Sequence, residues 1–150
     1  MTGLDRYNQR ILQTLEKEGR ISNVDLADRV GLSPSACLRR VQELERTGVI
    51  AGYRAVIDRE QLGQGFLAYV AIGLAEHTKD AQLAFEAAIT AAPEVRECHN
   101  VTGGVEYLLR VETRDLAAYK TLHTDVIGTA PHVAAITTYV VMESPKDERA

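Results

Sequence analysis

The chain has 150 residues, 45% hydrophobic and 25% charged, with 17 basic against 21 acidic side chains and a formal net charge of −4. These proportions exclude a disordered, collagen-like or low-complexity chain, and no run approaches the roughly 20 consecutive apolar residues of a membrane helix. Met1-Thr2-Gly3-Leu4-Asp5 lacks a basic segment followed by an apolar run, so no export signal is expected, and two cysteines, Cys37 and Cys98, are too few for a disulfide framework and fit a reduced cytoplasmic setting.

The acidic total argues against a nucleic-acid partner, but the charge is unevenly spread. Residues 1–62 hold ten basic and nine acidic side chains, whereas residues 63–150 hold seven and twelve. The hydrophobic period changes at the same place, from helical spacing to alternating strands and helices. Two domains are expected, 1–62 and 63–150.

The first helix is predicted over Leu4–Lys17, where Leu4, Tyr7, Ile11 and Leu15 recur at helical spacing. Gly19 stops it, and Ser22 or Asn23 caps a second helix carrying Val24, Leu26, Ala27 and Val30. Gly31 allows a sharp turn. Ser33 then caps a third helix with Pro34 at its first position, where the missing N–H costs nothing. That helix is predicted to reach about Thr47, with Cys37, Leu38, Val41 and Leu44 as its buried stripe. Val49 to Ile57 is rich in β-formers and reads as a short hairpin or wing.

Two helices joined through Gly31 form a helix-turn-helix pattern, with the third helix of the chain as its reading element. Its remaining face carries Ser35, Ala36, Arg39, Arg40, Glu43 and Arg46. Small residues at the start let a helix enter the major groove closely, arginines pair with guanine or phosphate, and Ser33, Ser35 and the first-turn amides suit phosphate. Arginines on a helix face are also commonly just solvated; the cap, the proline and the glycine turn favour DNA. Asn23, Ser33, Pro34, Ser35, Ala36, Arg39, Arg40, Glu43 and Arg46 are the DNA-binding candidates.

From Phe66 the pattern is β-α-β-β-α-β. Phe66–Leu74 is a strand apolar enough to be buried on both faces, followed by a helix from Lys79 to Ala92 and a strand Val95–Val101. A Thr102-Gly103-Gly104 turn leads to a strand Tyr107–Glu112. Asp115 caps a helix with the stripe Leu116, Tyr119, Leu122, Val126 and Ile127, and Val133–Met142 is the last strand. Residues after Ser144 read as a loose tail. Two such halves make a ferredoxin-like layer. With both helices on one face, Val101, Tyr107, Leu109, Val140 and Phe66 are expected on an open face that a second copy covers.

His77, His99, His123, His132 and Cys98 show no closed-site metal spacing, so no metal is expected. No nucleophile elbow, partnered cysteine or Walker loop is present, so the chain does not read as an enzyme.

The chain resembles the Lrp/AsnC, or feast/famine, family of transcription regulators over residues 4 to 143. The carrying motifs are Leu4-Asp5-Arg6, Gly19-Arg20-Ile21-Ser22-Asn23, Val30-Gly31-Leu32-Ser33-Pro34-Ser35, Cys37-Leu38-Arg39-Arg40-Val41, Leu44 to Ile50, Glu97-Cys98-His99, Gly103 to Leu109 and Thr138 to Met142. The resemblance implies an α+β protein, a winged helix-turn-helix followed by a ferredoxin-like βαββαβ ligand-sensing domain. It also implies dimers that assemble further, with a free amino acid as non-covalent effector and no other cofactor. The effector residues implied are Val101, Thr102, Gly103, Gly104, Val105, Glu106 and Tyr107, with Leu116, Val133, Ala135 and Ile136 secondary. Glycine amides can hold a carboxylate and Glu106 can pair with an ammonium group; a plain tight turn would need the same glycines. Many relatives carry an aspartate where Gly104 stands, so leucine is not carried over as the ligand. The expected function is a sequence-specific, effector-controlled regulator of transcription, cytoplasmic and nucleoid-associated. The alternative is a nucleoid-architectural protein with little ligand control.

Overall fold

A computed structural model describes residues 4–149. The first three residues, on which the export-signal expectation partly rests, lie outside that part. The chain divides into two compact units, Met1–Val56 and Ile57–Ala150.

The first unit contains α1 (Arg6–Lys17), α2 (Asn23–Val30) and α3 (Pro34–Arg46). Each starts on a side-chain cap that satisfies an otherwise unpaired amide. Asp5 accepts from Asn8 at 2.9 Å, Ser22 from Asp25 at 3.1 Å and Ser33 from Ala36 at 3.2 Å. Ser22 is thus the cap of α2 and Asn23 its first residue. Gly31 ends α2 at φ +79°, a left-handed conformation that suits glycine. Ile11, Leu26, Ala27, Val30, Cys37 and Leu44 form the core.

Two stripe assignments differ. Val24 is 63% exposed and Leu38 45%. A helix turns about 100° per residue, so Val24 points well away from the side defined by Leu26 and Val30, and Leu38 is swung off the line of Cys37 and Leu44. Beyond α3 the expected hairpin does not close. Residues 51–57 form no strand ladder in this chain, and the segment is anchored by Tyr53, whose hydroxyl donates to Glu45 Oε1 at 2.9 Å. With Glu18–Ile21 it lines an open groove.

The second unit contains β1 (Phe66–Leu74), α4 (Lys79–Thr90), β2 (Val95–Asn100), β3 (Tyr107–Thr113), α5 (Leu116–Leu122), a π-helical turn His123–Ile127 and β4 (Val133–Val140). The antiparallel sheet has the order β2-β3-β1-β4, the ferredoxin-like arrangement. Ala68, Val70, Ile72 and Leu74 of β1 and Tyr107, Leu109 and Val111 of β3 pack with Phe85, Ile89, Tyr119, Leu122 and Ile127. Leu116, at the start of α5, is exposed instead. In the π turn the Gly128 N–H donates to the His123 carbonyl at 2.8 Å.

The sheet corrects three readings. Burial along β1 mostly alternates, so it is not equally buried on both faces. Tyr107 and Leu109 face the helices and are 1% and 0% exposed, and Phe66 stacks on Tyr119 at 5.6 Å. The strand parity is therefore the reverse of that expected: Tyr69, Arg110 and Glu112 take the other face. Up to Arg149 the tail is tied down rather than loose; Ala150 lies outside the described residues. Asp147 lies 3.4 Å from Arg110, and Arg149 reaches Glu97 at 2.5 Å and the Tyr69 hydroxyl at 2.8 Å. Arg59 meets Glu112 at 3.2 Å. Among the described residues no helix is long and apolar enough to cross a membrane.

Candidate nucleic-acid interface and effector loop

The exposed start of α3 collects small and polar groups. Ser33 and Ser35 hydroxyls stand 3.4 Å apart, Pro34 is exposed and Ala36 half-buried. Asn23 is half-buried and ties the two helix starts together, its Nδ2 donating to the Pro34 carbonyl at 2.8 Å. It orients the turn rather than standing free.

The three arginines differ. Arg39 is exposed and forms no ion pair among the described residues. Arg46 makes a two-pronged contact with Glu43 at 2.6 and 2.9 Å. That hydrogen bond lowers the carboxyl pKa of Glu43 and raises that of Arg46. Arg40 reaches α1: its Nη1 donates to Asp5 Oδ2 at 2.7 Å and Asn8 Oδ1 at 3.1 Å, and the guanidinium lies 5.3 Å from the Tyr7 ring centroid. Asp5 is held below the ordinary carboxylate range by the Asn8 amide first and Arg40 second. The sequence reading missed Asp5, Asn8 and Tyr7 as partners. The signal was available in the helical wheel. Arg40 lies three residues after Cys37 and four before Leu44, both buried, whereas Arg39 lies almost opposite Cys37.

The glycine loop joins β2 to β3. The Glu106 carbonyl accepts from Val101 N–H at 2.9 Å and from Asn100 Nδ2 at 3.0 Å, and its N–H donates to Ile72 at 3.0 Å. Between these ties Thr102, Gly103 and Gly104 are exposed, and Val101 and Val105 half-buried. Among the described residues the amides of residues 102–105 donate no hydrogen bond to another backbone carbonyl. Gly103 has φ +119°, and a Cβ on either glycine would meet nothing within 4 Å. The loop therefore offers amide donors and open space.

Glu106 itself is turned inward. The register of β1 against β4 shifts between Gly73 and Leu74. Glu106 Oε2 accepts the Leu74 N–H at 2.6 Å, and its Oε1 lies 3.1 Å from His77 Nδ1. Both Glu106 oxygens therefore have a neighbour, and the side chain is mostly buried beside an exposed His77. Tyr107 is buried and donates to Glu86 Oε1 at 2.6 Å. Burial, then that hydrogen bond, raises its hydroxyl pKa far above normal. Its position supports the loop from within the core. Val133, Ala135 and Ile136 pair with Leu74, Gly73 and Ile72, at the same sheet end as the loop. Leu116 follows Thr113, which pairs with Phe66 at the other end of β1, about 23 Å away at ~3.3 Å per residue. One chain therefore does not bring Leu116 to the loop.

A capped helix pair presenting an exposed α3, followed by a sheet unit with an open amide-rich loop, defines a DNA-binding regulator with a separate ligand-binding unit. Residues 4–51 match the winged helix-turn-helix DNA-binding model, and residues 67–150 match the Lrp/AsnC ligand binding domain. The chain belongs to the Lrp/AsnC family of transcriptional regulators. It is 44% identical over 143 residues to the leucine-responsive regulatory protein of Salmonella typhimurium, covering 95% of this chain and 87% of that protein. The Escherichia coli K12 protein of that name is 43% identical over the same shares. Among solved structures, a Neisseria meningitidis transcriptional regulator in complex with L-Met superposes with a TM-score of 0.92 at 34% identity, covering 96% of this chain and 93% of that one. Escherichia coli AsnC superposes with a TM-score of 0.86 at 26% identity, covering 95% of each chain.

Proposed function

We propose that this regulator binds duplex DNA through the start and outer face of α3 and that a free amino acid at the glycine loop changes its assembly. Residues 1–62 carry DNA binding and residues 63–150 carry sensing and self-association, as a dimer that builds larger assemblies. It works in the cytoplasm, on the nucleoid, by binding alone and without chemical turnover. The observation that carries the sensing half is the open loop, with Gly103 at φ +119° and a run of amides free of backbone carbonyl partners. An α-carboxylate suits those amides, and an ammonium group suits the Glu106 carboxylate. The L-Met bound to the Neisseria relative supports an amino acid as the ligand class. Arg39, Ser33 and Ser35 contact DNA, with Pro34 and Ala36 allowing close approach, Asn23 holding the turn, and Glu43 and Arg46 at the far end of the helix. Within one chain Leu116 lies far from the loop, so its part in the pocket requires a second copy.

Titration calorimetry with the twenty amino acids, beside light scattering, tests this. Heat from at least one amino acid, with a change in particle mass, is expected. DNA affinity should fall steeply with salt as phosphate contacts release counterions. No heat from any of them, with DNA binding intact, selects the architectural alternative.

A further inference from the structure

We infer that Arg40 is a positioning residue that sets the reading helix against α1 through Asp5, and that it does not itself contact DNA. The inference rests on the DNA-binding reading of α3. Arg40 and Arg39 are neighbours in sequence and equal in charge, but the geometry separates their tasks.

Three groups from the first turns of α1 hold the Arg40 guanidinium: Asp5 Oδ2 at 2.7 Å, Asn8 Oδ1 at 3.1 Å and the Tyr7 ring at 5.3 Å. Its acceptor is itself fixed. Asp5 uses Oδ1 to cap α1, accepting the Asn8 N–H at 2.9 Å, which leaves Oδ2 aimed at Arg40. A guanidinium with two acceptors and an aromatic face is held in orientation as well as in place. Both hydrogens of Nη1 are committed to Asp5 and Asn8, and the three contacts together fix the plane in which Nε and Nη2 point. The pair is partly exposed, at 31% and 52% for the two side chains, so its direct contribution to stability is small. Its leverage is angular. Ile11 and Leu44 share the core beneath, and apolar contact alone leaves a helix free to roll by small amounts. The polar seat removes that freedom and fixes where Ser33, Ser35 and Arg39 point.

The two roles predict opposite signs for one substitution. Asp5→Asn keeps the Oδ1 cap and removes the charge. If Arg40 bound DNA, losing a competing carboxylate would free it and tighten binding. If Arg40 positions α3, the same change loosens the helix and weakens binding.

The test uses the full chain and a fluorescent duplex selected from a random-sequence pool by the unaltered protein. Affinity is measured across a salt series, at a temperature where every variant is folded by circular dichroism. Arg40→Ala and Asp5→Asn should each weaken binding about three- to tenfold, and the double variant should be no worse than Arg40→Ala alone. The salt slope should be unchanged, and Arg40→Lys, which retains a charge for Asp5, should recover part of the loss. Tighter binding by Asp5→Asn, or a slope reduced by about 0.9 in Arg40→Ala, overturns the inference in favour of direct contact. Altered melting temperature with unaltered affinity overturns it in favour of a purely structural pair. If the unaltered protein selects no duplex, the DNA-binding reading fails first.

Discussion

The two units place polar groups on an apolar core with different balances of near and far contacts, although Arg40 reaches Asp5 across 35 residues in the first and Thr78 and Asp115 cap helices locally in the second. In the helical unit each start is set by a residue next to it in sequence: Asp5, Ser22 and Ser33 each cap an amide three residues on. In the sheet unit the site depends on distant pairs. Glu106 satisfies Leu74 across 32 residues, and Tyr107 reaches Glu86 across 21. Local capping makes the start of α3 legible in sequence; long-range pairing ties down the ends of the glycine loop and is hard to foresee.

The strongest way to break this comparison is to empty each core in turn. Phe85 is fully buried in the sheet unit and Ile11 in the helical one. Phe85→Ala should cost about 3–5 kcal/mol and Ile11→Ala about 2–5. Scanning calorimetry should show the first displacing the sheet-unit transition and the second the other. One merged transition, moved equally by both, would deny the units separate stability.

Gly103→Val places a β-branched residue at φ +119°, a strain of about 1–3 kcal/mol. Ligand heat should vanish while particle mass without ligand is unchanged. Heat that survives moves the pocket elsewhere. In the helical unit, Arg39→Ala should weaken operator binding by about 1–3 kcal/mol without unfolding the protein. Ser33→Ala should cost about 1 kcal/mol of stability through the lost cap, read from urea titration; a neutral result would leave α3 capped by other means.

Alkali should fall most heavily on the sheet unit. The Tyr107 hydroxyl pKa is raised by burial and by the bond to Glu86. Folding therefore favours its neutral form. That stability is complete below the ordinary tyrosine value of 10 and is lost as pH rises above it. Tyr107→Phe should flatten this alkaline loss; an unchanged pH profile would place its origin in other groups.

How far the sequence could be read follows the same division. The three helices, the Ser33-Pro34 start and the Gly31 turn stand where the caps predict them. Subtracting the buried stripe leaves Arg39 and Arg40 on one face, whereas helical angle places Arg40 nearer Cys37 and Leu44, where it reaches Asp5 and Asn8. The sheet order agrees with the β-α-β-β-α-β pattern, but the open face was assigned with inverted parity. Tyr107, Leu108 and Leu109 are all apolar enough to face inward, so alternation alone cannot choose between them. The inward turn of Glu106 depends on a register shift at Gly73 and Leu74, and the docking of Asp147 and Arg149 on ionic partners far upstream. Neither leaves a local signal.

The π-helical turn at His123–Ile127 has a consequence for chain length. Leu122 and Ile127 are five residues apart, yet both are buried against the sheet. In an ordinary α-helix that spacing would swing them about 140° apart. The wider turn absorbs one surplus residue and brings Ile127 back into line. Deleting exposed Thr124 would restore the spacing of four that an α-helix needs. A chain shorter by that one residue would keep Ile127 in the same core.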